Sequence, residues 1–167
     1  PKLELRKTID NPQAKPTLKP GDSYSFKFEY RNSAKDSLAK NAFIEDVFDI
    51  KHFDIVSPKG IINDAGYMRY ELGNLPYSQN YKTLNITVKL KSELPNGLEV
   101  CNAARLVASN ATDAWGGPAC VTIIKPAPCP YNSALPADDP ACIPPTEVCP
   151  YNPSIKDKND PRCKPPE

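Results

Sequence analysis

Val100-Cys101-Asn102-Ala103-Ala104-Arg105-Leu106-Val107-Ala108 alternates as a β-strand does. Val100, Asn102, Ala104, Leu106 and Ala108 share one face, and Cys101, Ala103, Arg105 and Val107 share the other. Arg105 marks the second face as the solvated one. Asn102 is therefore a single amide on an apolar face, where its polar atoms need partners. Cys101 points outward and needs a second thiol.

Cys120 supplies that thiol. Opposing Cys101 and Cys120 on antiparallel strands centres the hairpin between Asn110 and Ala111. It sets Asn102 across from Ala119 and Leu106 across from Trp115, both on the inner face, and leaves Gly116-Gly117-Pro118 as a bulge or edge irregularity. A wide loop over 109–118 is the competing arrangement, and it would hold the sulfurs too far apart to bond. The even count of six cysteines favours the bonded pair.

Short strands extend outward from this stretch. Leu3, Leu5 and Ile9 alternate in phase with Lys7, and prolines between Asn11-Pro12 and Lys19 break the strand. After the turn Pro20-Gly21-Asp22, Tyr24, Phe26, Phe28 and Tyr30 alternate with Ser25, Lys27, Glu29 and Arg31, up to Asn32-Ser33-Ala34. Residues 41–48 form a strand of ambiguous phase. With Ala42, Ile44 and Phe48 inward, Asp46 is inward too; a shift by one residue puts Glu45 there. Phe53 to Val56, Tyr67 to Leu72, and Leu84 to Leu90 follow, then the turn Pro95-Asn96-Gly97, the Val100 strand and Val121 to Ile124. Seven or eight such strands with regular turns and no helical periodicity predict an all-β antiparallel sandwich.

Lys7, Asp46 and Asn102 are thus three polar residues in phase with apolar faces. In such a sandwich the first strand can lie beside the strand that carries Asn102. A lysine and an asparagine meeting in a dry core can condense into an isopeptide bond with loss of ammonia. Burial frees the amine as nucleophile and keeps a carboxylic acid protonated to polarise the amide, a role for Asp46 or, in the shifted phase, Glu45. The plainer alternative has Lys7 reaching water from a strand end, Asn102 bonding to backbone and Asp46 capping a turn.

Composition narrows the function classes. The chain has 167 residues, with 21 Lys and Arg against 20 Asp and Glu, which gives no electrostatic case for nucleic acid or an anionic membrane. No apolar run is long enough to span a bilayer as a helix, and no secretory signal is present. The abrupt start at Pro1 and the end at Pro165-Pro166-Glu167 are read as those of a piece of a longer chain. There is no Cys-x-x-Cys pair, and the single histidine, His52, sits between Lys51 and Phe53, so neither zinc nor another metal is expected. The cysteines instead point to disulfides in an oxidising, extracytoplasmic setting. No nucleophile–base arrangement for hydrolysis stands out, and no cofactor is called for. Asn85-Ile86-Thr87 and Asn110-Ala111-Thr112 match glycosylation triplets, a common pattern.

Two domains are expected, 1–125 and 126–167. Twelve of the last 42 residues are proline, and apolar alternation stops there. Two units repeat: Cys129-Pro130-Tyr131-Asn132 through Asp139-Pro140-Ala141-Cys142, and Cys149-Pro150-Tyr151-Asn152 through Asp160-Pro161-Arg162-Cys163. The repeat pairs Cys129 with Cys142 and Cys149 with Cys163, although four cysteines allow three connectivities. Each closed loop removes about 3 kcal/mol of unfolded-chain freedom, which a segment too small for a core needs. Asp138, Asp139, Asp157 and Asp160 lack the spacing of a calcium loop and read as turn residues. Pro-rich chain is stiff and extended, which suits a spacer.

Leu5-Arg6-Lys7-Thr8, Pro20-Gly21-Asp22, Phe28-Glu29-Tyr30-Arg31-Asn32, Ile44-Glu45-Asp46, Tyr70-Glu71-Leu72-Gly73-Asn74-Leu75 and Asn102-Ala103-Ala104 occur in an order that resembles the DUF11, or conserved-repeat, domains of bacterial surface proteins. The resemblance spans residues 3–124; the tail lies outside it, and its units resemble short cysteine repeats of other bacterial surface proteins. It implies an immunoglobulin-like stalk or adhesin module outside a bacterial cell, not an enzyme. Neighbouring domains of the same surface protein are the implied partners. The Lys, Asp and Asn set is similar to that of collagen-adhesin-type and pilin domains, which crosslink themselves. A binding module is the alternative, meeting a host-cell protein or glycan through its loops or tail, with Tyr77, Tyr81, Tyr131 and Tyr151 as candidate contacts.

Overall fold

A computed structural model describes residues 1–11, 16–143, 150–152, 154–155 and 161–165. Among the described residues there are strands and no helix, and the chain divides into two units, Pro1–Lys125 and Pro126–Glu167.

The first unit is an immunoglobulin-like β-sandwich. One sheet runs in the order β1 (Leu3–Ile9), β3 (Ser23–Asn32), β7 (Lys82–Leu90) and β5 (Phe53–Ser57), antiparallel throughout. The other runs β2 (Thr17–Leu18), β9 (Ala114–Ile123), β8 (Glu99–Val107), β4 (Leu38–Val47) and β6 (Tyr67–Pro76). Period-two alternation decides which side chains enter the core. Leu3, Leu5, Tyr24, Phe26, Phe28 and Tyr30 face inward from the first sheet, and Ile44, Val100, Ala104, Leu106, Val121 and Ile123 from the second.

Three details differ from what alternation alone predicts. Thr17–Leu18 pair in parallel with Thr122 and Ile123, within the segment that the prolines were expected to keep out of a strand. In β4 the register shifts between Ala39 and Ala42, with Asn41 in the left-handed region at φ 51°. This bulge sets the phase left ambiguous by the sequence and sends Ala42, Ile44, Asp46 and then Phe48 inward.

The third detail lies in β9, which starts at Ala114 rather than at Val121. Cys101 faces Cys120 and Asn102 faces Ala119, but the register then shifts between Asn102 and Ala104, opposite Gly116-Gly117-Pro118. Leu106 therefore meets Ala114, while Trp115 meets Arg105 on the outer face and is 67% exposed. The expected Leu106–Trp115 inner pair is thus corrected: the bulge inverts the phase of everything before it in β9.

In the second unit, β10 (Pro128–Cys129) pairs with β11 (Asn132–Pro136), so the tail holds a small hairpin where only irregular chain was expected. Cys129 is bonded to Cys142, with the Cα atoms 5.6 Å apart. The Asp139 carboxylate accepts from the Ala141 amide (2.7 Å), a turn role. Cys149, Asp157 and Asp160 lie outside the described residues, and with them the Cys149–Cys163 pairing.

Candidate functional site

The two sheets meet at three polar side chains. Lys7 lies on the inner face of β1, opposite Phe28 of β3. Asp46 on β4 is opposite Ala104 of β8, and Asn102 lies two residues further along β8 on the same face. The side chains of Lys7 and Asp46 are fully buried, and Nζ donates to Asp46 Oδ2. Asn102 Nδ2 donates to Asp46 Oδ1 (3.0 Å) and to the Val47 carbonyl (2.9 Å). One carboxyl group thus bridges an amine and an amide, with one oxygen for each. Asn102 Oδ1 is buried and has no hydrogen-bond donor among the described residues.

Aromatic rings close the space around the amine. Nζ lies 4.3 Å from the centroid of Phe26, 4.7 Å from that of Phe28 and 4.9 Å from that of Phe48. These ring faces attract a cation, yet the loss of hydration is the larger effect. Burial pushes Lys7 down to about 8 against the pull of the Asp46 charge. Burial likewise pushes Asp46 up, against Lys7 and the hydrogen bonds of Asn102 and Val47. Both shifts run toward a neutral amine beside a neutral acid. That is the state in which an amine is nucleophilic and an acid can donate a proton.

Local sequence makes this meeting possible. A Cβ at Gly116 would stand 2.8 Å from Leu5 Cγ and 3.1 Å from the main-chain nitrogen of Lys7, so glycine lets β1 lie directly on β9. Gly117 has φ +95°, and a Cβ there would meet the main-chain carbonyl oxygen of Asn102 at 3.0 Å. The β4–β8 pairing stops at Asp46 and Ala104, and the Asn102 amide takes the Val47 carbonyl just past that end.

Glu45, the substitute acid, points to the outer face. There it forms a two-bond fork with Arg105 (3.1 Å each), which also binds Asp113 (3.1 Å). An outer-face cleft of about 210 Å³, lined by Glu45, Asp46, Val47, Ala103, Arg105 and Trp115 among others, lies on the solvent side of β4 and β8, while the Asp46 carboxyl group itself is fully buried. Cys101 and Cys120 are bonded across β8 and β9. Glu99 lies 3.5 Å from Cys101 Sγ, but the bonded sulfurs offer no thiolate to a metal.

The other sequence candidates lie apart from this site. His52 is half-buried beside Asp49 (3.5 Å) and edge-on to Phe53. Tyr81 is half-buried and engaged: the Arg6 and Arg31 guanidiniums lie 4.2 and 4.3 Å from its ring centroid, and its hydroxyl donates to Glu4 (2.6 Å). Tyr77 is half-buried as well, which leaves Tyr131 and Tyr151 as the exposed pair of the four. Asn85 is exposed on β7, and Asn110 is held by Lys40 and Leu38 backbone.

Sequence reasoning missed the cage of Phe26, Phe28 and Phe48. The Phe26–Phe28 alternation was visible, but only the β1–β3 register places Lys7 against it. Asn32 ends β3, as expected, but its amide is also fully buried and bonded to Lys2, Ala34, Ser37 and Leu75, a role with no signal in the local sequence.

No protein-family model matches the chain, and neither does any curated protein. Solved structures do resemble it. The major pilin subunit BcpA of Bacillus cereus superposes on 75% of this chain with TM-score 0.55 and 13% identity. A variant of that pilin superposes with TM-score 0.57 and 12% identity. The chain spans about two fifths of the pilin, 41% of its length. The sixth cohesin of scaffoldin B from Acetivibrio cellulolyticus, crystallised with a dockerin, covers 72% of this chain and 99% of its own at TM-score 0.46 and 14% identity. At these identities the pilin likeness is one of fold: an immunoglobulin-like sandwich.

Proposed function

We propose that the first unit is a non-enzymatic structural module of a bacterial surface protein, closed by an isopeptide bond between Lys7 and Asn102. The observation that carries this reading is the single buried carboxyl group of Asp46, bonded to the amine on one side and the amide nitrogen on the other. The pilin fold likeness supports the setting.

The chemistry balances without a co-reactant. Asp46 Oδ2 takes a proton from Lys7, and the freed Nζ attacks Asn102 Cγ. A new C–N bond forms as the old one breaks. The departing Nδ2, already hydrogen-bonded to the Asp46 carboxyl group, takes that proton and leaves as ammonia. The second proton, which Nζ sheds as it becomes an amide nitrogen, passes to the Asp46 carboxylate and from there to the ammonia, which departs as ammonium. The event happens once per chain, without turnover. The product is a covalent strut between β1 of one sheet and β8 of the other. Closing a loop of roughly a hundred residues stabilises a chain by about 4–5 kcal/mol when the closure is a disulfide, and the same unfolded-state argument applies here. It also blocks separation of the two sheets under tension, which is what a stalk requires.

Intact mass after full reduction tests the reading. The folded wild-type chain is expected to lack the mass of one ammonia, and Lys7→Ala and Asn102→Ala to carry their full calculated masses. A folded wild-type chain of full mass overturns the reading.

A further inference from the structure

The geometry points to the Cys101–Cys120 disulfide as a positioning element for the reaction of Asn102 with Lys7, an inference that rests on the crosslink reading above. Cys101 directly precedes Asn102 and faces Cys120 across β8 and β9. Asn102–Ala119 is the last regular pair before the register breaks at Ala103, opposite Gly116-Gly117-Pro118. On the other side of β8, pairing with β4 extends only from Val107 to Ala104 and does not reach Asn102. The reactive amide therefore sits where the ladders on both flanks of its strand lapse. One residue away stands a covalent tie.

The tie contributes little to the core. Cys101 is exposed on the solvated face of β8, and Glu99 and Ala103 are exposed on either side of it. What the bond fixes is the place of β8 against β9, and β9 is the strand on which β1 lies through Gly116. The disulfide thus links the backbone of Asn102 to the surface that seats Lys7. A fixed approach of amine and carboxamide converts a loose encounter into an aligned one. Asp46 carries the proton transfer; the disulfide acts only through where it holds Asn102. The tail disulfide Cys129–Cys142 lies in the other unit and supplies an internal control.

The test follows ammonia loss over time by intact mass. Full-length chain is purified unfolded, refolded in a thiol–disulfide buffer, and checked for native near-ultraviolet dichroism. Wild type and Cys129→Ser/Cys142→Ser are expected to crosslink at the same rate, and Cys101→Ser/Cys120→Ser at least about tenfold more slowly while folded. Equal rates in all three overturn the positioning role and leave the crosslink standing. A wild-type chain that never loses ammonia removes both. If the Cys101→Ser/Cys120→Ser chain does not fold, the uncrosslinkable Lys7→Met chain is used instead. Reducing it is expected to lose the hydrogen-exchange protection of the Asn102 side-chain amide, and unchanged protection contradicts the inference.

Discussion

Asn32 and Asn102 are both buried amides on apolar strand faces, one at the end of β3 and one within β8. At Asn32, Oδ1 accepts from the Lys2 and Ala34 amides (3.0 and 3.2 Å), and Nδ2 donates to the Ser37 and Leu75 carbonyls (3.1 and 3.3 Å). At Asn102, Nδ2 is bonded twice and Oδ1 has no donor. The first amide completes its valence with backbone and pins a chain end. The second shares a carboxyl group with a buried amine and leaves its carbonyl unanswered. Burial is common to both amides; on the proposed reading it is the partners that set the reactive one apart from the structural one. Condensation would also remove the buried ammonium, a charge that the interior tolerates poorly.

The comparison can be broken first at Asp46. Asp46→Ala removes the group that takes and returns the proton. Crosslinking followed by intact mass is expected to slow by about 10²–10⁴, while Asn32→Ala leaves its rate unchanged. A rate in Asp46→Ala equal to that of wild type would remove the acid from the account.

Asn32→Ala sharpens the other side. It strands two backbone amides and two backbone carbonyls around the end of β3 and is expected to destabilise the fold by about 2–4 kcal/mol in urea unfolding. Ammonia loss still goes to completion. An incomplete reaction in a folded Asn32→Ala chain would mean that the two amides are coupled.

A smaller effect concerns pH in the uncrosslinked Asn102→Ala chain. Burial lowers Lys7 from 10.5 to about 8, so between those values the folded chain has released a proton that the unfolded chain still holds. Stability then rises with pH across that window. Asp46 is raised from 3.8, so above 3.8 and up to its folded value the folded chain holds the extra proton, and stability falls as pH rises there. Unfolding free energies from urea titration are expected to increase from pH 7 to pH 10, by on the order of 1–2 kcal/mol relative to the same chain carrying Lys7→Met. A flat difference contradicts the buried, deprotonating amine.

Much of this was legible in the chain because the sandwich obeys a simple period. Leu3, Leu5 and Lys7 share a phase, and so do Val100, Asn102 and Ala104, so two members of the triad could be placed from alternation. Asp46 needed the bulge at Asn41, which has no clear signature in the surrounding residues. Trp115 was misplaced for the same reason: a one-residue shift at Gly116-Gly117-Pro118 inverts everything before it. The aromatic cage and the bonds of Asn32 depend on strands distant in sequence, and one chain's periodicity does not specify which strands become neighbours.

The most direct measurement of the central claim is tandem mass spectrometry of the reduced, proteolysed wild-type protein. The account predicts one branched peptide joining the segment that contains Lys7 to the segment that contains Asn102, with ammonia lost at the junction. Two linear peptides, with the Lys7 amine free and the Asn102 carboxamide intact, would contradict it.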